Sequence, residues 1–306
     1  SLGVDLRLNS PVRRVLYEGG RASGAELMSG ETVKSKTVIV ATGGCSVPKT
    51  GSTGDGYAWA REAGHTITEL YPTEVPLTSA EPFIANRELQ GLSLRQISLT
   101  VWNDKGKRIV EHRGDMIFTH FGLSGPAALR CSQFVVKELR QTRESSVRLT
   151  LDLFPDLSEQ DVRGELERWK TAEPRKHWRN VLKTIVPERM VPVLLRKTNA
   201  DGGQEAAHIP KAHLADLARL MKAFPIRITG TLSLEEAFVT GGGVHLKEID
   251  PRTMGSKLMP GLFFCGEILD VHGYTGGYNI TAAFSTGYTA GSSAAETALE
   301  LEQPRL

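Results

Sequence analysis

The residues with the clearest chemical meaning lie at positions 265–279, which read CGEILDVHGYTGGYN. This segment follows an apolar run at 262–264 and precedes a long alanine-rich pattern, so a strand, a glycine-rich turn and a helix are predicted in succession. Glu267 can accept hydrogen bonds from sugar-type hydroxyls, and Gly276 and Gly277 let the backbone approach a ligand closely. Because the first N–H groups of a helix attract negative charge, the segment predicts a site for a polar, partly anionic ring system.

Two further glycine-rich turns lie near the start of the chain. Residues 37–44 read TVIVATGG, an apolar run typical of a buried parallel strand that stops at two glycines. Such a strand end can lie against a dinucleotide, or the glycines can simply serve the exit from strand to loop. Residues 48–57 read PKTGSTGDGY, in which backbone N–H groups can cradle an anion or Asp55 can cap the next helix. No Gly-Lys-Ser/Thr follows these glycines, which excludes a phosphate-binding P-loop.

Length, composition and charge indicate the class of protein. The chain has 306 residues, so we expect about two domains, and its 40% hydrophobic and 24% charged residues are ordinary for a globular protein. A net charge of +2 does not require a nucleic-acid partner. No stretch approaches the ~18 apolar residues of a membrane span, and no leader pattern is present, so we expect a cytoplasmic protein without a membrane partner. Because the chain opens on SLGVDLRL without Met, we expect it to begin inside a fold.

The three cysteines, Cys45, Cys131 and Cys265, are far apart in the sequence. None forms a Cys-x-x-Cys pair, so neither a disulfide framework nor a zinc site is predicted. They are typical of small buried hydrophobic residues in a reducing compartment. Cys45 follows the Ala-Thr-Gly-Gly turn, but without a nearby cysteine partner it is not expected to act as a redox thiol. No cluster of metal ligands stands out, so no metal site is predicted.

The order of predicted elements indicates one domain interrupted by another. Residues 4–8 are predicted as a strand, 25–34 as a hairpin and 55–63 as a helix that ends at a glycine. Residues 158–222 are mostly helical in pattern, and a long final helix is predicted from 278 to about 301. Strand-rich α/β segments at both ends therefore flank a middle of different character, which favours a nucleotide-binding domain with an insertion.

Four motifs occur in order along the chain: ATGG at 41–44, PKTGSTGDG at 48–56, THFGLSGPA at 119–127, and GEILD at 266–270 with GGYN at 276–279. Taken together, they resemble the BaiN/aminoacetone-oxidase-type NAD(P)/FAD-dependent flavoproteins. The resemblance extends from about residue 3 to residue 292, which is nearly the whole chain. A weaker similarity, at 53–56, extends to the fumarate-reductase and ketosteroid-dehydrogenase flavoproteins.

The resemblance implies an α/β protein, α+β overall, built on a glutathione-reductase-like FAD domain. That domain would comprise 1–75 and 240–306, and it would be interrupted by a strand-rich substrate domain at 76–157 and 223–239 and a helical insertion at 158–222. The family begins with a strand and a Gly-x-Gly-x-x-Gly turn that holds the pyrophosphate. This spacing is absent from the chain, so the FAD domain is expected to be N-terminally incomplete and to supply the second half of an FAD site.

The resemblance also implies which residues contact FAD. The backbone of Val12 would meet the adenine, and residues 41–43 would lie near the adenosine–pyrophosphate half. Gly266 and Glu267 would face the ribityl–pyrophosphate region. Residues 279–280 would face the pyrimidine edge of the isoalloxazine, where helix N–H groups stabilise negative charge on the reduced flavin. The full predicted set is Val12, Ala41, Thr42, Gly43, Gly266, Glu267, Gly277, Tyr278, Asn279 and Ile280.

Two residues are predicted to be catalytic. His272 and Tyr274 lie in the loop that would cover the flavin, and they are candidates for a substrate-facing acid or hydrogen-bond donor. A solvated loop histidine is the alternative interpretation of His272.

The predicted function is an FAD-dependent oxidoreductase that moves a hydride between the flavin and a small organic substrate, with NAD(P)H as co-substrate. A competing hypothesis is a flavoprotein-derived module that binds no FAD and acts as a scaffold or binding protein. A third is a nucleic-acid accessory role through the basic run RKHWR at 175–179, although a solvated helix face explains that run more economically. We therefore expect a small-molecule partner rather than nucleic acid, and the sequence does not indicate an oligomeric state.

Overall fold

The computed structural model describes residues 3–302 and divides them into two compact units. The first unit combines residues 3–73 with 234–302, and the second is Glu74–Ser233. The predicted helical segment at 158–222 lies in the same unit as the large sheet. The division into three domains stays a prediction.

The first unit, in its described residues, contains three small sheets and two α-helices. The elements are β1 (Val12–Glu18), β2 (Arg21–Leu27), β3 (Thr32–Lys34), β4 (Val38–Val40), α1 (Asp55–Glu62), β5 (Tyr71–Thr73), β13 (Val239–Gly241), β14 (Leu262–Phe264) and α8 (Gly276–Glu300). The antiparallel sheet β1-β2-β3 comes first in the chain, while β5 pairs antiparallel with β13 and β4 pairs parallel with β14.

The parallel pair of strands forms the centre of this unit. Val38 lies opposite Leu262 and Val40 opposite Phe264, so the two strands run side by side and end at the same edge. Their β-branched and aromatic residues favour strand structure because they fit a pleated, packed surface. Val40 and Phe264 belong to one buried cluster that also includes residues of α1. The predicted parallel strand at 37–41 is confirmed over Val38–Val40, but its predicted burial holds only for Val40, since Ile39 is 40% exposed.

The second unit is built on a seven-stranded antiparallel sheet with the strand order β11-β10-β7-β8-β9-β6-β12. One buried cluster joins this sheet to the helices around it. The strands are β6 (Leu77–Thr78), β7 (Ser93–Trp102), β8 (Arg108–Phe118), β9 (Gly122–Ser124), β10 (Val147–Asp152), β11 (Phe224–Ile228) and β12 (Gly230–Thr231). The helices are α2 (Pro82–Ala85), α3 (Pro126–Thr142), α4 (Glu159–Ala172), α5 (Trp178–Leu182), α6 (Met190–Lys197) and α7 (Lys211–Lys222).

Most local predictions agree with these elements, and one does not. The hairpin within 25–34, the helix from Asp55 and the helical segment 158–222 are confirmed. The strand predicted at 4–8 is wrong: Val4, Leu6 and Leu8 are 82%, 78% and 73% exposed, and this segment pairs with no strand among the described residues. Alternating apolar residues form a strand only where a neighbour supplies hydrogen bonds and a buried face. Within residues 3–302, every helix is too short or too polar to traverse a lipid bilayer.

Candidate functional site

The candidate site lies in the first unit, at the carboxyl ends of β4 and β14. The N–H of Cys265 donates to the carbonyl of Val40 at 3.2 Å, which continues the strand pairing by one residue. The turns that follow the two strands, at 41–44 and 266–268, therefore begin side by side. In open α/β sheets, ligands bind in the crevice outside the carboxyl ends of parallel strands.

Thr240 holds the first of these turns in place. Its Oγ1 accepts the N–H groups of Cys45 and Ser46 at 2.9 and 3.1 Å and lies 2.9 Å from the Ser46 hydroxyl. Gly44 permits this approach, since a Cβ there would lie 2.3 Å from Thr240 Oγ1. Thr240 is not among the residues predicted from the sequence. It lies immediately before the glycine triplet at 241–243, and that triplet was the only signal of close backbone packing there.

Glu267, in the turn at 266–268, contacts both Thr240 and the turn at 41–44. Its Oε1 accepts the backbone N–H of Thr240 at 2.7 Å, while its Oε2 would lie 4.0 Å from a Cβ at Gly43. One carboxylate oxygen is thus committed to the protein, and the other faces the Ala-Thr-Gly-Gly turn. The charge of the carboxylate also affects Cys45. Burial is the main reason why the pKa of the Cys45 thiol is raised, and the negative charge of Glu267 raises it further. A raised pKa opposes a redox role for that cysteine.

The turn at 48–56 packs directly against the first one. A Cβ at Gly56 would lie 2.3 Å from Thr42 Oγ1 and 2.9 Å from Val40 Cγ1, so only glycine lets α1 begin this close to β4. The interpretation of Asp55 as a helix cap is wrong. The N-cap is Gly54, with a left-handed φ of 81°, and no side chain caps the helix.

Two hydroxyl groups near these turns lack hydrogen-bond partners among residues 3–302. They are Thr42 Oγ1 and the phenol of Tyr57, and both atoms are buried. The pKa of Tyr57 is raised mainly by burial, and the charges of Cys45, Glu267 and Asp270 raise it further. This phenol therefore remains a protonated donor. A buried polar group without a partner is costly and is found most often where a ligand or water completes the pairing.

The helix α8 begins at Gly276, two residues before the predicted start at 278. The N–H groups of Tyr278 and Asn279 donate to the carbonyl of Thr275 at 3.0 and 3.3 Å, which leaves Gly276 and Gly277 without an intrahelical partner. The Asn279 side chain folds the preceding loop onto the helix, because its Oδ1 accepts the N–H of Gly273 at 2.8 Å and its Nδ2 donates to Thr275 at 3.1 Å. The side chain is therefore committed to the loop.

The rest of the predicted set on α8 is exposed. Ile280, Phe284 and Tyr288 follow one another at a spacing of four residues and are 58%, 77% and 80% exposed, and Tyr278 is exposed as well. Residues four apart share one face of a helix. An exposed apolar stripe of this kind is typical of a surface that binds a ligand or a partner.

Gly266 connects the strand end to α8. Its N–H donates to Thr286 Oγ1 at 3.0 Å, and its φ of +77° favours glycine. Val12 lies in β1, opposite Leu27, and packs against the edge of the buried cluster of the first unit. No described contact joins Val12 to either turn of the site, whereas Gly43 and Glu267 are brought together.

His272 meets a residue that the sequence analysis did not consider. Its Nε2 lies 3.3 Å from the hydroxyl of Tyr71, and the two rings meet edge to face with centroids 5.7 Å apart. Gly241 provides room for Tyr71, because a Cβ there would lie 2.6 Å from two atoms of the ring. Tyr274, the other predicted catalytic residue, is 45% exposed in the same loop. The structure thus supplies His272 with a fixed neighbour.

A Ser–His–Glu cluster also occurs in this unit, but it is structural. His65 Nε2 lies 2.6 Å from Ser256 Oγ, and its Nδ1 lies 3.2 Å from Glu248 Oε2. Ser256 Oγ accepts the backbone N–H groups of Leu258 and Met259 at 3.1 and 2.8 Å. Both lone pairs of the hydroxyl are therefore occupied, which leaves no nucleophile.

Comparison with known protein families finds a match that covers nearly the same residues as the second unit. A profile described as the HI0933-like protein barrel and H2TH domain matches residues 71–239, more than half of the chain. The 3-dehydro-bile acid delta(4,6)-reductase of Clostridium scindens is 30% identical over 296 residues, which cover 92% of this chain and 69% of that protein. Proteins named ribosomal RNA dihydrouridine synthase, from Haemophilus influenzae and Escherichia coli, are 32% and 31% identical over 83% and 93% of this chain.

The chain spans 59% and 66% of the two synthases' own lengths. These matches confirm the resemblance inferred from the four sequence motifs.

Proposed function

Because the chain belongs to the HI0933-like family of BaiN/aminoacetone-oxidase-type flavoproteins, we propose that it carries the flavin-facing part of an FAD-dependent oxidoreductase. The observation that carries this proposal is the packing of three glycine turns, at 41–44, 48–56 and 266–268, around the carboxyl ends of β4 and β14. Close backbone approach and free polar groups at such an edge suit a dinucleotide.

The residues at these turns fit the polar groups of FAD. Glu267 has one oxygen outside its bond to Thr240, and a carboxylate accepts hydrogen bonds from ribityl or ribose hydroxyls. Thr42 supplies a buried hydroxyl that lacks a partner among the described residues. Gly276 has no neighbouring atom within 4 Å of a Cβ position, and its N–H points beyond the helix end, where negative charge is favoured.

The substrate class is proposed from the two activities that the relatives' names describe. A delta(4,6)-reductase and a dihydrouridine synthase each convert a carbon–carbon double bond into a single bond. We propose that this chain serves the reduction of a double bond conjugated with a carbonyl group. Such a reduction adds a hydride to one carbon and a proton to its neighbour. FAD, when bound, supplies the hydride, and NAD(P)H is the proposed source of its electrons.

The proton is the part that the chain's own residues would supply. The imidazole of His272 would act as the proton donor, and Tyr71 would orient its ring through the hydroxyl at 3.3 Å from Nε2. Tyr274 is exposed in the same loop and would hydrogen-bond to the substrate carbonyl. The cytoplasm is the proposed compartment, since all three cysteines are free thiols.

The test begins with flavin binding. We would titrate FAD into this chain, and into a version extended by a Gly-x-Gly-x-x-Gly strand–helix segment, and follow flavin fluorescence. Glu267→Gln keeps an oxygen for the Thr240 N–H but loses the charge, so we expect FAD binding to weaken by about 10-fold, the loss of one charge-assisted hydrogen bond. Glu300→Gln, at an exposed position of α8, is the matched control and should bind as the parent does.

The second step tests chemistry. The flavin-loaded protein, NAD(P)H and a conjugated unsaturated ketone or uridine-containing RNA would be incubated, and products would be examined by mass spectrometry for the gain of two hydrogen atoms. If neither version takes up FAD, the reductase proposal fails and the flavin-free binding module is favoured. If FAD binds but Glu267→Gln binds equally well, the role of Glu267 is wrong.

A further inference from the structure

An unusual row of side chains crosses the large sheet of the second unit. Trp102 of β7 lies directly opposite Arg108 of β8 and Arg148 of β10, and Arg148 lies directly opposite Arg227 of β11. Residues opposite each other in antiparallel strands share one face of the sheet. The neighbouring row, Val101–Leu149–Ile226, is fully buried on the other face. We call Arg108, Trp102, Arg148 and Arg227 the arginine row.

The aromatic member of the row is held in a defined position. The Trp102 indole Nε1 donates to Thr150 Oγ1 at 2.8 Å, and the Arg148 guanidinium lies over the indole ring at 4.9 Å from its centroid. The guanidinium therefore lies over the face of the indole, and both groups offer planar surfaces. Nucleobases stack on aromatic rings and on arginine planes in single-stranded RNA recognition.

Two of the three arginines in the row lack an acidic partner among residues 3–302. Arg108 pairs with Glu111 at 2.9 Å, but neither Arg148 nor Arg227 forms an ion pair with any residue in 3–302. Glu81 approaches Arg227 only at its backbone N–H, at 3.2 Å. Like charges directly opposite each other destabilise a sheet. An anion placed between the two guanidiniums would remove this repulsion, and a phosphate matches their hydrogen-bonding geometry.

A cavity of about 430 Å³ opens at the row and adds acceptors to the cations. Its lining includes the cations of Arg148 and Arg227 and the carboxylates of Asp104, Glu138 and Glu144. Glu138 Oε1 accepts the N–H of Asp104 at 3.1 Å, which links two of these acidic residues. A ligand that suits both the cations and the carboxylates carries negative charge and also hydroxyl or amino donors. A ribonucleotide chain has both, since its phosphates are anionic and its 2′-hydroxyls donate.

We propose that the arginine row and its cavity form a binding site for single-stranded RNA. One phosphate would lie between Arg148 and Arg227, a base would stack on the Arg148–Trp102 pair, and ribose hydroxyls would donate to the carboxylates that line the cavity. The choice of RNA rests on the proposed function, because two relatives are named for an activity on ribosomal RNA. Binding itself requires no flavin, so its failure is distinguishable from failure of the reductase proposal.

The test measures binding of the whole chain to a fluorescein-labelled single-stranded RNA of mixed sequence and to DNA of the same sequence, by anisotropy at several salt concentrations. Arg148→Gln with Arg227→Gln should weaken RNA binding by at least about 10-fold. It should also lower the salt slope by about 0.7, since the two arginines are proposed to contact one phosphate and each phosphate contact to a single strand contributes about 0.7. Trp102→Leu should weaken binding by about 10-fold through lost stacking, with the salt slope unchanged.

The matched control is Arg175→Gln with Arg179→Gln, which removes the same charge from the basic run that the sequence analysis singled out. It should change RNA affinity by less than about 2-fold, because only charges at the site contact phosphate. Arg227→Gln alone should not lower the melting temperature, because it relieves the Arg148–Arg227 repulsion, and this measurement checks that the variant is folded. Equal weakening by the control pair, or equal affinity for RNA and DNA, would overturn the proposal.

Discussion

Replacing Thr240 with Val tests how the Ala-Thr-Gly-Gly turn is held at the strand ends. Val has nearly the same shape as Thr but no oxygen. The substitution therefore removes the acceptor for the N–H groups of Cys45 and Ser46, at 2.9 and 3.1 Å, and the partner of the Ser46 hydroxyl. Thr240 is fully buried and Ser46 is nearly so, so water does not replace the lost oxygen without rearrangement.

The size of the effect follows from the number of donors left unpaired. A buried donor without a partner costs about 1–3 kcal/mol. Cys45 is only half-buried, so its N–H belongs at the lower end of this range, and the two backbone groups together should cost about 3 kcal/mol. The opening equilibrium of the turn would then rise by roughly 100-fold.

Hydrogen exchange measured by mass spectrometry on peptides that cover 41–46 reports this opening directly. Thr240→Ser keeps the hydroxyl and loses one methyl group, which should cost about 1 kcal/mol and leave the Cys45 and Ser46 amides protected. Thr281→Val, at an exposed position of α8, should change stability by less than about 0.5 kcal/mol. Unchanged exchange in Thr240→Val, or a loss in Thr240→Ser as large as that in Thr240→Val, would refute the assignment of this oxygen as the anchor.

Three further predictions concern the same unit. Burial holds the pKa of His65 below its usual value, so on acidification the unfolded chain binds a proton at His65 before the folded chain does. The free energy of unfolding should therefore fall as the pH drops below about 6.5. His65→Gln should reduce this loss, measured by urea unfolding at each pH. Gly241→Ala would place a Cβ 2.6 Å from the ring of Tyr71 and should destabilise the unit by about 1–3 kcal/mol, measured by urea unfolding. Gly291→Ala, within α8 and with no atom within 4 Å of its Cβ, should instead stabilise by about 0.5–1 kcal/mol in the same assay. A stabilising Gly241→Ala would contradict the packing described here.

Local features were predictable where short-range physics decides them. The Val-Ile-Val run at 38–40 forms a strand because its residues are β-branched, and Gly64 ends a helix with a left-handed φ of +90° that suits glycine. The sequence could not reveal that Asp55 leaves the capping position to Gly54. It also could not reveal that the first segment, with Val4 and its neighbours, finds no strand to pair with among the described residues.

The candidate site was predictable only as a set of turns. The glycines and Glu267 indicated where a ligand's backbone and acceptor contacts belong, because glycine allows positive φ and a carboxylate accepts hydrogen bonds. The partners of these residues lie far along the chain. Thr240 is separated by 195 residues from Cys45, and Tyr71 by 201 residues from His272. No periodicity or local spacing connects positions so distant.

By itself, the sequence determined the family, the strand and helix segments and the positions that require glycine, because each depends on residue type and nearest neighbours. Tertiary structure alone decided which groups meet. It placed the Asn279 side chain in a hydrogen bond with its preceding loop and one oxygen of Glu267 in a hydrogen bond with Thr240, while the other faces the turn at 41–44. It also placed Arg148 opposite Arg227 on neighbouring strands. The physical reason is that a hydrogen bond or a charge contact depends on separation in space, and strand pairing brings distant parts of the chain within that range.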